Sequence, residues 1–366
     1  MKKEYNIIEK SFHYIVMEGS HYEIGKQLGR LVKQGIGTNL EYKSDKTKTD
    51  NAKWRSNKRL LEDNCPGLED EIQGFSDELN ISAEEANYYY FSYSNAKKCS
   101  QFLVLSSIVE NSNTYLGRSY EWIPHEEDLI LLTTRINGKT KHIGCSEALF
   151  GRTEGLNNYG LCVSMTGAGI FGVPTSSKGL YYWVLIRAIL DQCKTVHEAK
   201  EVINSFPVVE FFSLLLVDKN DHTLHVEFAD GEKTFNETKE KLFYTTNHFK
   251  LPEMVKYNEL NCGIINQSKK RSRLIESRIQ TKVSREDLIE LLSKEFPEGL
   301  CHHYYSDYFG TLWSLLFNKS NLTIDACFGA PTHNNWRKFE LLNDPLGMKS
   351  YSAIFPDLKI SKPSSQ

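Results

Sequence analysis

Apolar positions in the first quarter of the chain recur mostly with helical spacing, and from Cys99 onward the dominant period becomes two. Ser11 to Met17 alternates as a short strand, and Tyr22 to Val32 sets Ile24, Leu28 and Leu31 on one helical face. Helices are predicted over Arg59 to Leu79, interrupted by Cys65-Pro66-Gly67, and over Glu84 to Ser92 behind Ser82-Ala83-Glu84-Glu85, which has the form of a capping box. Beyond Cys99, strands are expected at Phe102 to Val109, Thr114 to Trp122, Ile130 to Ile136 and Lys141 to Cys145, with turns at Asn111-Ser112-Asn113 and Asn137-Gly138-Lys139. Amphipathic helices follow at Leu180 to Cys193 and at Val196 to Ser205, the second behind a capping box at Thr195-Val196-His197-Glu198. Then come strands at Phe211 to Val217, His222 to Phe228 and Lys241 to Thr246, helices at Ser268 to Ile279 and Arg285 to Leu292, and strands near Thr311 to Phe317, Leu322 to Phe328 and Trp336 to Leu341. Helices, sheet, helices, sheet is the order expected of an α+β chain with two stacked sheets between helical layers, folded as one domain.

Composition narrows the partners rather than the fold. With 366 residues, a net charge of −3 and 25% charged residues, the surface is that of an ordinary soluble protein, and nothing in it calls for nucleic acid or a membrane. The most basic stretch, Lys43 to Arg59, is diluted by Asp45 and Asp50 and reads as a solvated helical connection. No apolar run near the N-terminus is long enough for a signal peptide or a membrane span. The eight cysteines show no C-x-x-C pair and no compact spacing, so reduced thiols and a cytoplasmic location are expected.

The change of period falls on Cys99, and that position gives the thiol a chemical meaning. A cysteine at the first position of a newly exposed chain carries its own base, because a free α-amino group titrates near pH 8. Cys99 Sγ would attack the Lys98 carbonyl, take the acyl group from nitrogen to sulfur, and release a new N-terminus when the thioester is hydrolysed. The competing reading is a small buried thiol packed at the start of a strand. Cys301-His302-His303, with Asp307 close by, invites a metal reading, but adjacent histidines on a strand point opposite ways, so no metal is assigned.

Taken in order, Gly19-Ser20-His21-Tyr22-Glu23-Ile24-Gly25, Cys99-Ser100, Gly117-Arg118-Ser119-Tyr120-Glu121-Trp122, Gly155-Leu156-Asn157-Asn158-Tyr159-Gly160-Leu161 and Thr246-Asn247-His248 resemble the acyl-CoA:6-aminopenicillanate acyltransferase family. That family belongs to the N-terminal-nucleophile hydrolases and is related to the choloylglycine hydrolases. The resemblance implies a four-layer αββα sandwich and a precursor that cuts itself before Cys99. It implies a segment 1–98 retained as a subunit beside the catalytic part 99–366, and a small acyl amide as substrate, cleaved at a linear non-peptide C–N bond without a cofactor. Carried over by motif, Asn247 corresponds to the oxyanion-hole asparagine, and Glu121 stands where the family usually has aspartate. His302, just before Gly310-Thr311-Leu312, lies where the family often places a basic residue near the substrate. Val163 to Phe171 departs from the asparagine-rich stretch frequent in the family and should lie near the acyl pocket.

The residues support these roles on their own chemistry. Acyl transfer builds negative charge on the carbonyl oxygen, and a carboxamide fixed at a strand end, as Asn247 would be, donates into it; the alternative is a turn asparagine. Arg118 and Glu121 are three apart on one strand and project to opposite faces unless a bulge intervenes, so one faces the thiol while the other makes a structural ion pair. Glu121 is taken as catalytic and Arg118, with His302, as substrate-binding. A choloylglycine-type hydrolase and an uncleaved, inactive relative that binds a small acylated ligand are the alternatives. The 98 residues ahead of Cys99 argue against the first, and the bulk of Lys98 before the scissile bond favours the second.

Overall fold

The computed structural model describes residues 3–37, 51–86, 98–169, 179–208, 210–260 and 262–359. The chain enters as β1 (Tyr5–Gly19) and helices α1 (His21–Lys33), α2 (Asn51–Asn64) and α3 (Leu68–Leu79). Strands β2 (Lys98–Val104), β3 (Tyr115–Trp122), β4 (Ile130–Ile136), β5 (His142–Glu147), β6 (Gly151–Arg152), β7 (Glu154–Asn157) and β8 (Cys162–Gly167) lead to helices α4 (Tyr182–Gln192) and α5 (Val196–Ser205). After β9 (Phe212–Val217), β10 (Thr223–Ala229), β11 (Glu232–Thr238) and β12 (Leu242–Thr245) come α6 (Cys262–Arg278) and α7 (Arg285–Ser293). The last strands are β13 (His303–Tyr304), β14 (Phe309–Asn318), β15 (Thr323–Phe328), β16 (Trp336–Glu340) and β17 (Gly347–Leu358).

The strands form a 10-stranded sheet, ordered β11-β10-β9-β8-β7-β5-β4-β1-β17 with β6 beside β5, and a 7-stranded sheet, ordered β12-β2-β3-β14-β15-β16 with β13 beside β14. Period-two patterning explains how they stack. On β1, Ile15 and Met17 join a core shared with α1, α3, α4 and α5, while Phe12, Tyr14 and Val16 join one shared with the smaller sheet. On β2, Cys99 and Leu103 face that central core, whereas Phe102 and Val104 face α6 and α7. Three apolar layers therefore separate four layers of structure, which is the αββα sandwich.

Local chemistry sets the helix ends. Ser20 caps α1 with Glu23 returning to the Ser20 N–H, and Ser284 with Asp287 does the same for α7. At α5 only half of the expected box forms: Thr195 accepts from Glu198 N–H, but the Glu198 carboxylate turns to Lys194 N–H at 2.6 Å. Strand β2 starts and stops earlier than the expected Phe102 to Val109, because the chain closes into a 3-10 turn at Ser106–Ile108. The Gly155 to Leu161 segment splits between strand and turn, and Asn157 Oδ1 accepts from Tyr159 and Leu161 N–H at 3.0 and 3.2 Å. From the expected helix Glu84 to Ser92 and the Val163 to Phe171 segment, residues 87–92 and 170–171 lie outside the described residues, as does the basic stretch up to residue 50. Among the described residues no helix is long and apolar enough to cross a membrane.

Candidate active site

Cys99 is fully buried near the start of β2, and each of its polar groups is held by a side chain. Its Sγ accepts from Arg118 Nη2 at 3.2 Å, its N–H donates to Asn247 Oδ1 at 3.1 Å, and its carbonyl accepts from Arg271 Nη1 at 2.6 Å. The β2–β3 register explains the first contact. Cys99 stands opposite Tyr120 and Gln101 opposite Arg118, so Arg118 and Tyr120 share the inter-sheet face with the thiol, while Ser119 and Glu121 lie on the helix side.

Arg118 is a buried junction. Its Nε meets Glu154 Oε2 at 2.6 Å, Nη1 donates to Ser164 Oγ at 3.1 Å, and its guanidinium lies over the Tyr120 ring at 5.0 Å. Trp313 Nε1 donates to the other Glu154 oxygen at 3.1 Å, so the arginine, its counter-ion and the thiol form one fixed group across the two sheets. Glu154, Ser164 and Arg271 were not among the residues singled out from sequence.

Asn247 follows β12. Its Oδ1 accepts from Cys99 N–H and from Arg271 Nη2 at 2.6 Å, and its Nδ2 donates to Gly167 O at 2.7 Å, which fixes the orientation of the carboxamide. Arg271, on α6, also donates to Ser100 Oγ at 2.8 Å and lies 3.9 Å from Glu121. Glu121 thus belongs to the face away from the thiol, where it accepts from the Ser119 hydroxyl and faces Arg271. Of the two, Arg118 faces the thiol and also pairs with Glu154, while Glu121 faces Arg271 on the opposite side of the sheet.

His302 is also buried, stacked between Phe296 at 5.2 Å and Phe309 at 4.1 Å, and burial holds its imidazole well below the usual histidine pKa. The Phe309 ring in turn carries Lys98 Nζ at 5.2 Å and the Arg271 guanidinium at 5.2 Å. His302 therefore sits on the Glu121 side of the small sheet. His248 bonds to Ser268 Oγ at 2.7 Å, and burial lowers its pKa to about 4. Among the described residues no group of three or more His, Cys, Asp or Glu is arranged to hold a metal ion.

Burial favours the protonated thiol. Burial pushes the Cys99 pKa up to about 12; Arg118 pulls it down, but Glu121 and Glu154 push against that pull. Burial also raises Glu121 to about 7 and lowers Arg271.

Two stacked sheets between helical layers make the αββα sandwich of the N-terminal-nucleophile hydrolase fold. The chain belongs to the acyl-coenzyme A:6-aminopenicillanic acid acyl-transferase family, whose model matches residues 109–333. That span contains Arg118, Glu121, Glu154, Asn247, Arg271 and His302, and Cys99 lies ahead of it. Among solved structures, the chain is similar to penicillin V acylase from Agrobacterium tumefaciens, with 17% identity, 72% of this chain and 98% of that one covered, and a TM-score of 0.46. A mutant of conjugated bile acid hydrolase from Clostridium perfringens gives 9%, 69%, 96% and 0.45 in the same measures, and the N-acylethanolamine-hydrolyzing acid amidase ortholog of Caenorhabditis elegans gives 14%, 60%, 93% and 0.41. No curated protein matches the sequence.

Proposed function

We propose that this acyl-amide hydrolase or acyltransferase is a self-processing enzyme whose nucleophile is Cys99. The observation that carries the reading is the grip on Cys99, whose nitrogen, carbonyl and sulfur are each held by Asn247, Arg271 or Arg118. A thiol that only packed a strand would need none of these, since its backbone groups have a sheet to bond to.

In the first reaction Sγ adds to the Lys98 carbonyl carbon as its proton passes to the Cys99 nitrogen. The Lys98–Cys99 C–N bond breaks, and the nitrogen leaves as the Cys99 α-amine. Water then opens the thioester, leaving a Lys98 carboxylate. In the processed enzyme the α-amine takes the thiol proton, the sulfur attacks the substrate amide, and the substrate amine departs protonated. Water or another amine then removes the acyl group from sulfur. Arg118 stabilises the thiolate, Asn247 holds the α-amine through Oδ1 and donates from Nδ2, which is oriented by Gly167 O, to the oxyanion, and Arg271 fixes the carboxamide. Glu121, held near neutrality by burial, and His302 line the Lys98 side of the strand, so their contribution is to the cut rather than to the acyl pocket.

Intact mass and N-terminal sequencing test the reading. Wild-type protein should give two co-purifying fragments, the larger starting at Cys99, and Cys99→Ala should remain whole. A wild-type chain that stays uncut yet cleaves amides would overturn the mechanism, and an uncut chain that binds an acylated small molecule without turnover would favour the inactive relative.

A further inference from the structure

Asn247 sits on a connection rather than on a strand or helix, and a catalytic carboxamide must be held within about 0.5 Å of its productive place. The connection Thr246 to Leu251 is fastened at three points. Thr246 Oγ1 meets Ser268 Oγ at 2.7 Å and Ser272 Oγ at 2.8 Å. Phe249 N–H donates to Asn258 Oδ1 at 2.9 Å while Asn258 Nδ2 donates back to Phe249 O at 2.8 Å. The third fastening is a single carboxylate: Glu227 Oε1 accepts from Lys250 N–H at 2.7 Å, and Oε2 accepts from Leu251 N–H at 3.0 Å.

Glu227 is fully buried on β10 of the larger sheet, while the connection it holds leaves β12 of the smaller one. His225 Nε2 lies 3.4 Å from it, and the Lys250 ammonium turns away to the Tyr244 carbonyl at 3.0 Å. Burying a carboxylate is costly, and packing alone would have been met by an apolar side chain. The two carboxyl oxygens each take one of two adjacent backbone N–H groups; burial raises the Glu227 pKa to about 7, and these bonds pull it down against burial.

We propose that Glu227 is a positioning residue for acyl transfer, fixing the Asn247 carboxamide between the two sheets by clamping the connection three residues further on. The proposal rests on the reading of Asn247 as the oxyanion donor. Geometry then predicts that loosening the clamp misplaces a group needed only as the oxyanion forms, so kcat falls while substrate affinity holds.

The test is a double-mutant cycle on processed, full-length enzyme with a chromogenic acyl amide. Glu227→Gln keeps the volume and one acceptor, and should lower kcat about tenfold with KM changed less than about twofold. Asn247→Ala should lower kcat/KM by roughly 10²-fold, and adding Glu227→Gln to it should cost little more. Independent, multiplying losses would overturn the positioning role alone. Wild-type turnover in Asn247→Ala would overturn the reading of Asn247 and the proposal with it. A measurement on the unaltered enzyme covers the case in which Glu227→Gln does not fold: the Lys250 and Leu251 amides should exchange with deuterium more slowly than the exposed turns of the same protein, and fast exchange at both would overturn the clamp.

Discussion

Arg118 divides its donors among a thiol, a carboxylate and a hydroxyl along the length of a rigid planar fork, a spread that a compact ammonium does not reproduce. Arg118→Met leaves the Glu154 carboxyl without its counter-ion in a dry interior and should destabilise the chain by about 3–5 kcal/mol. Adding Glu154→Leu should restore much of that loss in urea unfolding while leaving self-cleavage slow, because stability and thiolate stabilisation are then separated. Glu121 makes a prediction in pH. Its folded pKa of about 7 lies above the unfolded carboxylate value, so it contributes stability that is fully present below about pH 4.3 and lost as pH rises through 7. Glu121→Gln removes that loss, so its Tm relative to wild type should rise between pH 5 and 8 in thermal scans, and a constant difference would contradict the assignment. Sequence alone reveals that Arg118 and Glu121 face opposite ways, since parity needs only spacing. Which of them meets the thiol depends on the pairing of Cys99 with Tyr120, and register is set by contacts across the sheet. Arg271 was hidden for a related reason: within Lys269-Lys270-Arg271-Ser272-Arg273 it looks like one more cation on a wet helix face.

Helices α1 and α3 touch backbone to backbone. A methyl group at Gly25 would fall 1.8 Å from Glu71 O, and one at Gly74 would fall 2.0 Å from Tyr22 O, so both positions require a missing side chain. Gly25→Ala should therefore push the helices apart, lowering the urea midpoint by the equivalent of about 3 kcal/mol and reducing the yield of processed protein; an unchanged midpoint would show that the helices are free to slide. The apolar stripe of Ile24, Leu28 and Leu31 was legible as a helix, and the motif around Gly25 was legible as a pattern without its steric reason. Strands with one buried face were readable by alternation. Strands β11 and β17 were not, because they are the outer members of the larger sheet, and Glu232 to Thr238 and the first half of Gly347 to Leu358 are largely polar and partly or fully exposed. An edge strand is defined by its one neighbour more than by its own residues.

The segment ahead of Cys99 is woven into the molecule. β1 lies between β4, parallel, and β17, antiparallel, inside the larger sheet. From the same segment, Glu71 Oε2 meets Arg187 Nη2 at 2.8 Å and His21 Nδ1 at 3.1 Å, and Arg187 in turn holds Asp191 at 2.8 Å, all in the interior. If the chain is cut before Cys99, size-exclusion chromatography should find both pieces in one peak until denaturant is added, and separation in native buffer would contradict this account. The pairing of β1 has a further consequence in the order of synthesis. Tyr5 finds its partner at Leu358, so the chain must be made as far as Leu358 before the larger sheet can be completed. β17 follows every other strand of the two sheets in chain order, and it is the one that pairs with β1, the first. If self-processing follows assembly of the larger sheet, a chain cut back to end before Gly347 lacks the partner of β1 and should remain in one piece, which intact mass would read directly.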